Sequence, residues 1–167
     1  EARTAFDKKT YYRGRARLPH VPFNGTDEEA DTPDADYWSR GDGLADSSFS
    51  TGMWVKVADT ATYRAVIGKY TDLTGLEARE WVVDISNSNK LRLLLIDESV
   101  NAIPIRTSDS DIVLNQWQFF VATYSGVGGA SAANGIILYA NGAVLASTAT
   151  NNASYVAMEN VTTVVTI

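Results

Sequence analysis

The chain has 167 residues, 45% of them hydrophobic and 20% charged, which suits one globular domain with a real core. Its net charge of −6 excludes the basic surface that nucleic-acid binding needs, and no apolar run approaches the roughly 20 residues of a membrane span. Without cysteine there is neither a disulfide framework nor a Cys-type zinc site, so stability must come from packing.

Residues 1–35 read as a basic arm followed by an acidic linker, and residues 36–167 as the folded domain. From Arg3 to Arg17 the arm carries Arg3, Lys8, Lys9, Arg13, Arg15 and Arg17 against Glu1 and Asp7, with no sustained apolar period. This local excess of cations is expected to dock on an acidic neighbour. From Asn24 to Asp36 the sign reverses with Asp27, Glu28, Glu29, Asp31, Asp34 and Asp36, and Gly25 and Pro33 break any regular element. The chain starts at Glu1 with no apolar signal segment after it, and is expected to be trimmed or partly represented.

From Tyr37 onward short β-rich runs alternate with Gly, Asn, Asp and Ser, at the spacing of an all-β sandwich. Phe49, Thr51, Met53, Val55 and Val57 share one face of the first run, and Ser50, Gly52, Trp54 and Lys56 the other. Strands are predicted at Arg64–Tyr70, Glu80–Ser86 and Leu91–Asp97, with turns at Gly75 and at Asn87-Ser88-Asn89. Trp117–Tyr124 is bulky on both faces and reads as a central strand. After the loop Ser125–Asn134, Ile136–Ala140 and Ala143–Thr148 flank Asn141-Gly142, a type I′ hairpin signal. The final run, Val161–Ile167, is β-branched and uncharged.

Several of these pieces occur in a telling order: Asp36-Tyr37-Trp38-Ser39, Gly41-Asp42-Gly43, Phe49 to Lys56, Ile67 to Tyr70, Arg79-Glu80-Trp81, Lys90-Leu91-Arg92 through Asp97-Glu98-Ser99, Trp117 to Tyr124, and Leu138 to Gly142. None is specific alone. Together they span nearly everything from Asp36 to Ile167, and the chain resembles the LamG-like branch of the concanavalin A-like lectin/glucanase superfamily. The resemblance implies two antiparallel sheets stacked as a jelly-roll sandwich, used for glycan binding, adhesion or decoration of particle surfaces. The GDG turn, the REW and DES tripeptides and the Tyr155–Asn160 segment look most like domains of phage and marine viral structural proteins. That implies a non-catalytic virion surface module, a capsid decoration, fibre or tail component, partnered by other virion proteins or copies of itself. The alternative is a secreted carbohydrate-binding module of a cellular adhesin or glycosidase. Family members continue past the last run here with a closing strand, so the sandwich is expected to lack that strand. Val161–Ile167 would then leave an open edge beside a first strand at Asp36–Ser39, to be covered by further chain or by a neighbouring subunit.

Catalysis finds little support. Glu80 and Asp84 share a strand face about 13 Å apart, too far for the 5–5.5 Å of a retaining glycosidase pair, and adjacent Asp97 and Glu98 point apart. His20, beside Pro19, is the single histidine, so neither a triad nor a His-rich metal site can be assembled. No motif implies a cofactor. Calcium is the one cation for which loop oxygens exist, on Asp42, Asp46, Asp109 and Asp111, and turn capping is the plainer role for each. A sugar site wants an exposed ring beside polar side chains, and the candidates are Trp54, Tyr70 and Trp81 with Arg79 and Glu80 as polar partners.

Overall fold

Alternation and turn chemistry convert into eleven strands in the computed structural model, which describes residues 29–72 and 77–167. The arm Arg3–Arg17, His20, the start of the acidic linker and the turn at Gly75 lie outside the described residues. In chain order the strands are β1 (Asp31–Thr32), β2 (Phe49–Val55), β3 (Arg64–Thr71), β4 (Ala78–Ile85), β5 (Leu91–Leu95) and β6 (Ile105–Ser108). Then come β7 (Gln118–Tyr124), β8 (Ile136–Ala140), β9 (Ala143–Val144), β10 (Ser147–Thr150) and β11 (Val165–Thr166). They form a seven-stranded sheet, β1-β11-β3-β4-β5-β6-β10, and a four-stranded sheet, β2-β7-β8-β9, with antiparallel pairing throughout. This is the expected antiparallel sandwich.

The core lies between the sheets. Trp81, Val83 and Ile85 of β4 and Leu91, Leu93 and Leu95 of β5 meet Phe49 of β2, Phe120, Ala122 and Tyr124 of β7, and Ile136 and Leu138 of β8. Each set follows the two-residue period of a strand that buries one face. β7 is central in its sheet, as its bulk on both faces predicted. The Asn141-Gly142 hairpin forms as expected: both residues have positive φ, 52° and 83°, and β8 pairs with β9. Among the described residues no helix is long and apolar enough to cross a membrane.

Three expectations are corrected. Ala143–Thr148 is not one strand: Ala143 and Val144 pair with β8, and after Leu145 and Ala146 the chain crosses to the other sheet, where Ser147–Thr150 pairs with β6. The crossing occurs where Leu145 packs against the core while its N–H donates to the Leu138 carbonyl. Asp36–Trp38 is a 3-10 turn instead of the first strand, closed by N–H donation from Trp38 to Ala35 and from Ser39 to Asp36. The first strand is Asp31–Thr32, so the folded domain takes in residues read as linker. Val161–Ile167 is no open edge, because β11 lies between β1 and β3 and Val165 is buried in the core. Residues 161–163 are kept out of the ladder by tight local bonds, and the Val161 carbonyl accepts from Lys69 Nζ at 2.6 Å.

Candidate functional site

The structure does not bring the four predicted ligand residues together. Trp81 is a correction: it alternates with Val83 and Ile85 on the inner face of β4, is 2% exposed, and has its ring centre 5.3 Å from that of Phe49. Its indole N–H donates to the Trp38 carbonyl at 3.2 Å, so neither its face nor its polar edge is open to a ligand. Tyr70 and Arg79 do meet, as cross-strand partners on β3 and β4. The Tyr70 hydroxyl donates to Asp72 at 2.8 Å, and burial together with that carboxylate pushes its pKa up to about 12. Arg79 forks onto both carboxylate oxygens of Glu98, at 2.8 and 2.9 Å, and also donates to Asn101. Both side chains thus clamp local turns. Trp54 is 62% exposed on the other sheet and lies 5.5 Å from Phe119. Val121 and Tyr139 continue its face, with Lys56 its one charged neighbour along the strand.

Sequence reading missed a different constellation, on the outer face of the seven-stranded sheet. With Trp81, Val83, Leu91, Leu93 and Leu95 turned inward, Val82, Asp84, Arg92 and Leu94 face the other way. Strand register sets Asp84, Arg92, Thr107 and Thr148 side by side in one row, and Val82, Leu94 and Ile105 in the next. Arg92 Nε donates to Asp84 at 2.8 Å, and a second bond from its terminal nitrogen completes the fork. The guanidinium carbon lies 4.7 Å from the ring centre of Tyr63, which is 56% exposed. Asp84 and Val82 are buried, so what this face presents is the open Tyr63 ring, the half-buried Arg92 that Asp84 holds beneath it, and half-buried Leu94 and Ile105. The signal available in the sequence was the outward phase of Arg92 between Leu91 and Leu93; Asp84, on a strand buried on both faces, and Tyr63, ahead of β3, carried none.

The carboxylates weighed for catalysis are engaged structurally. Glu80 is fully buried, 3.2 Å from Lys69 Nζ, and accepts from the Arg40 backbone N–H. Asp84 belongs to Arg92, and Asp97 holds the Val156 N–H at 3.0 Å. The four aspartates weighed for calcium do not converge either. Asp42 caps its own turn through the Leu44 and Ala45 N–H groups. Asp109 accepts from Thr148, and Lys90 Nζ bonds both Asp111 and the Asp109 carbonyl, holding its ammonium where a cation shared by that pair would sit. The residues present do not fit calcium.

Asp46 fastens the Tyr155–Asn160 segment. Its carboxylate accepts from the hydroxyls of Tyr124 (2.6 Å) and Tyr155 (2.9 Å) and from the Met158 N–H (2.8 Å). Gly41 permits the approach, since a Cβ there would lie 2.1 Å from the Met158 carbonyl oxygen. The GDG turn and the YVAMEN segment are thus two halves of one joint. Burial pushes the Asp46 carboxyl above the ordinary range despite its three donors, and burial likewise raises Glu80. A carboxyl raised in the native state binds its proton more tightly there than in the unfolded chain. Its contribution to stability is full below the unfolded value, near about pH 4, and is lost as pH rises through the raised value. The chain is therefore expected to melt higher at about pH 5 than at about pH 7.5, with Asp46→Asn flattening that slope. Scanning calorimetry checks this, and a Tm that climbs with pH in the wild type would contradict it.

A sequence-family model described as the concanavalin A-like lectin/glucanases superfamily matches residues 24–164. No curated protein matches the chain.

Proposed function

The chain belongs to the concanavalin A-like lectin/glucanase superfamily, and from that premise we propose that it is a non-catalytic carbohydrate-binding module. Its sugar site is the outer face of the seven-stranded sheet at Tyr63 and Arg92, with buried Asp84 holding the guanidinium. The observation that carries this reading is the stack of the Arg92 guanidinium on the exposed Tyr63 ring, held in place from beneath by the fork onto buried Asp84 and flanked by half-buried Leu94 and Ile105. A pyranose offers C–H faces to a ring and hydroxyls to charged side chains that are already oriented, which lowers the ordering cost of binding. The Trp54 face has the rings without such a polar row. Hydrolysis is not part of the proposal, since Glu80 lies out of a substrate's reach against Lys69 and Asp84 is neutralised by Arg92.

The test is a glycan array probed with the wild type and three variants. Tyr63→Ala and Arg92→Lys are expected to weaken retention by about tenfold, whereas Trp54→Ala keeps it. Loss confined to Trp54→Ala, or no retained glycan for the wild type, would refute the site. Display on a virion or another extracellular surface is the finer reading we attach, supported by the resemblance and by the cation-rich arm. Antibody labelling of intact particles that finds no surface signal would reject it.

A further inference from the structure

Charge around Tyr63 and Arg92 is cancelled group by group. The Arg92 guanidinium gives two of its nitrogens to Asp84, Nε at 2.8 Å and one terminal nitrogen, and because that carboxylate is buried the fork is shielded from water and salt. Two residues before Arg92, Lys90 Nζ lies 2.6 Å from Asp111 and also bonds the Asp109 carbonyl. Arg64, next to Tyr63 in the chain, lies 2.7 Å from Asp59. The Asp109 carboxylate accepts from the Thr148 hydroxyl and has no cation of its own among the described residues. Three cations thus stand against four carboxylates, and no positive charge is left over. The groups that stay free are neutral. Thr107 sits beside Arg92 in the row, half-buried, and its hydroxyl makes no hydrogen bond among the described residues.

We propose that this site selects neutral sugars, hexoses and N-acetylhexosamines without carboxylate or sulfate, and turns acidic glycans away; the inference rests on the sugar site proposed above. An arginine that captures an acidic sugar needs its guanidinium fork free for the carboxylate or sulfate. Here Asp84 already holds the fork. Docking an acidic sugar would either strip Arg92 from Asp84, leaving a buried carboxylate without its counter-ion, or set a further negative charge near Asp109 with no cation to meet it. A neutral pyranose demands neither. Its C–H face covers the Tyr63 ring, while its hydroxyls meet the Thr107 hydroxyl and the guanidinium N–H groups that Asp84 leaves over.

An array that carries neutral hexose and N-acetylhexosamine oligosaccharides beside uronate, sialylated and sulfated ones decides the class. The wild type is expected to retain neutral glycans about tenfold more strongly than acidic ones. Their retention should change little between about 50 and about 500 mM NaCl, because no net charge is matched on binding. Asp84→Asn keeps the shape of the side chain but frees the guanidinium, and is expected to raise retention of acidic glycans relative to neutral ones by about tenfold. Asp111→Asn, at an exposed carboxylate that folding does not need, frees the Lys90 ammonium and should move the preference the same way even if the Asp84 variant does not fold. Glycans that depend on Tyr63 for retention yet are acidic, or are released by salt, would overturn neutral selection while leaving the site in place. So would an unchanged preference in both variants. Retention of neutral glycans that Tyr63→Ala does not weaken removes the site itself, and this selection with it.

Discussion

Trp81→Ala is expected to destabilise the chain by about 3–5 kcal/mol, the range for removing a large aromatic from a packed core. The indole is 2% exposed and packs on Phe49 across the sandwich. Its N–H also satisfies the Trp38 carbonyl, so truncation leaves a cavity together with an acceptor that has lost its donor. Trp54→Ala is the internal comparison: that ring lies on the outer face, and its loss is expected to cost under about 1 kcal/mol. Urea unfolding of both variants at one pH measures the difference. A Trp81→Ala chain within about 1 kcal/mol of wild type would mean that the sandwich closes without the indole.

The second large effect is expected at Lys69. Its ammonium is fully buried and reaches Asp34 (3.1 Å), Glu80 (3.2 Å), the Ser39 hydroxyl (2.7 Å) and the Val161 carbonyl (2.6 Å), tying the segment before β2 and the segment before β11 to β3 and β4. Lys69→Met leaves Glu80 without its counter-ion in a site from which water is excluded, and is expected to cost about 3–5 kcal/mol. The double variant Lys69→Met/Glu80→Leu should recover much of that loss, because the buried charge goes with its partner; Asp34, partly exposed, can hydrate. The single variant should lose less at about pH 5 than at about pH 7.5, since an unpaired Glu80 can take up a proton. Equal losses in the single and double variants, at both pH values, would show that the pair does not carry this stability.

These two residues mark where sequence pattern stops being informative. β2 was legible because polarity alternates along it, β7 because bulk on both faces marks an interior strand, and β8 because it runs into the Asn141-Gly142 turn, whose positive φ values select those residue types. β4 is different. Glu80 to Ile85 are all buried, so neither face is polar in the usual sense and the phase that turns Trp81 inward leaves no trace in composition. Lys69 looks like an exposed lysine between Gly68 and Tyr70, and only the arrival of chain from Asp34 to Ser39 and from Asn160 to Val161 buries it. Strands of two residues, such as β1, β9 and β11, are too short to show a period. The Tyr63, Arg92 and Asp84 grouping is a product of register between segments, which no single stretch records. The GDG and YVAMEN pieces were noticed as likenesses, yet their meaning as a joint closed on Asp46 needed the distances.

The pairing of β1 with β11 is expected to form last as this sandwich assembles. Asp31 lies against Thr166 and Thr32 against Val165, and Ala30 and Ile167 exchange both backbone bonds, so this contact closes a loop that spans nearly the whole domain. The β3-β4-β5-β6 meander and the β7-β8-β9 hairpins close short loops and can form early. The long closure must wait for them, since two residue pairs cannot offset its entropy until β3 offers β11 a formed ladder. High contact order places such a chain among slow folders, in the millisecond to second range typical of β-sandwiches. For the same reason β1 should peel away first in native-state exchange, opening the seven-stranded sheet at the end where the chain enters the domain.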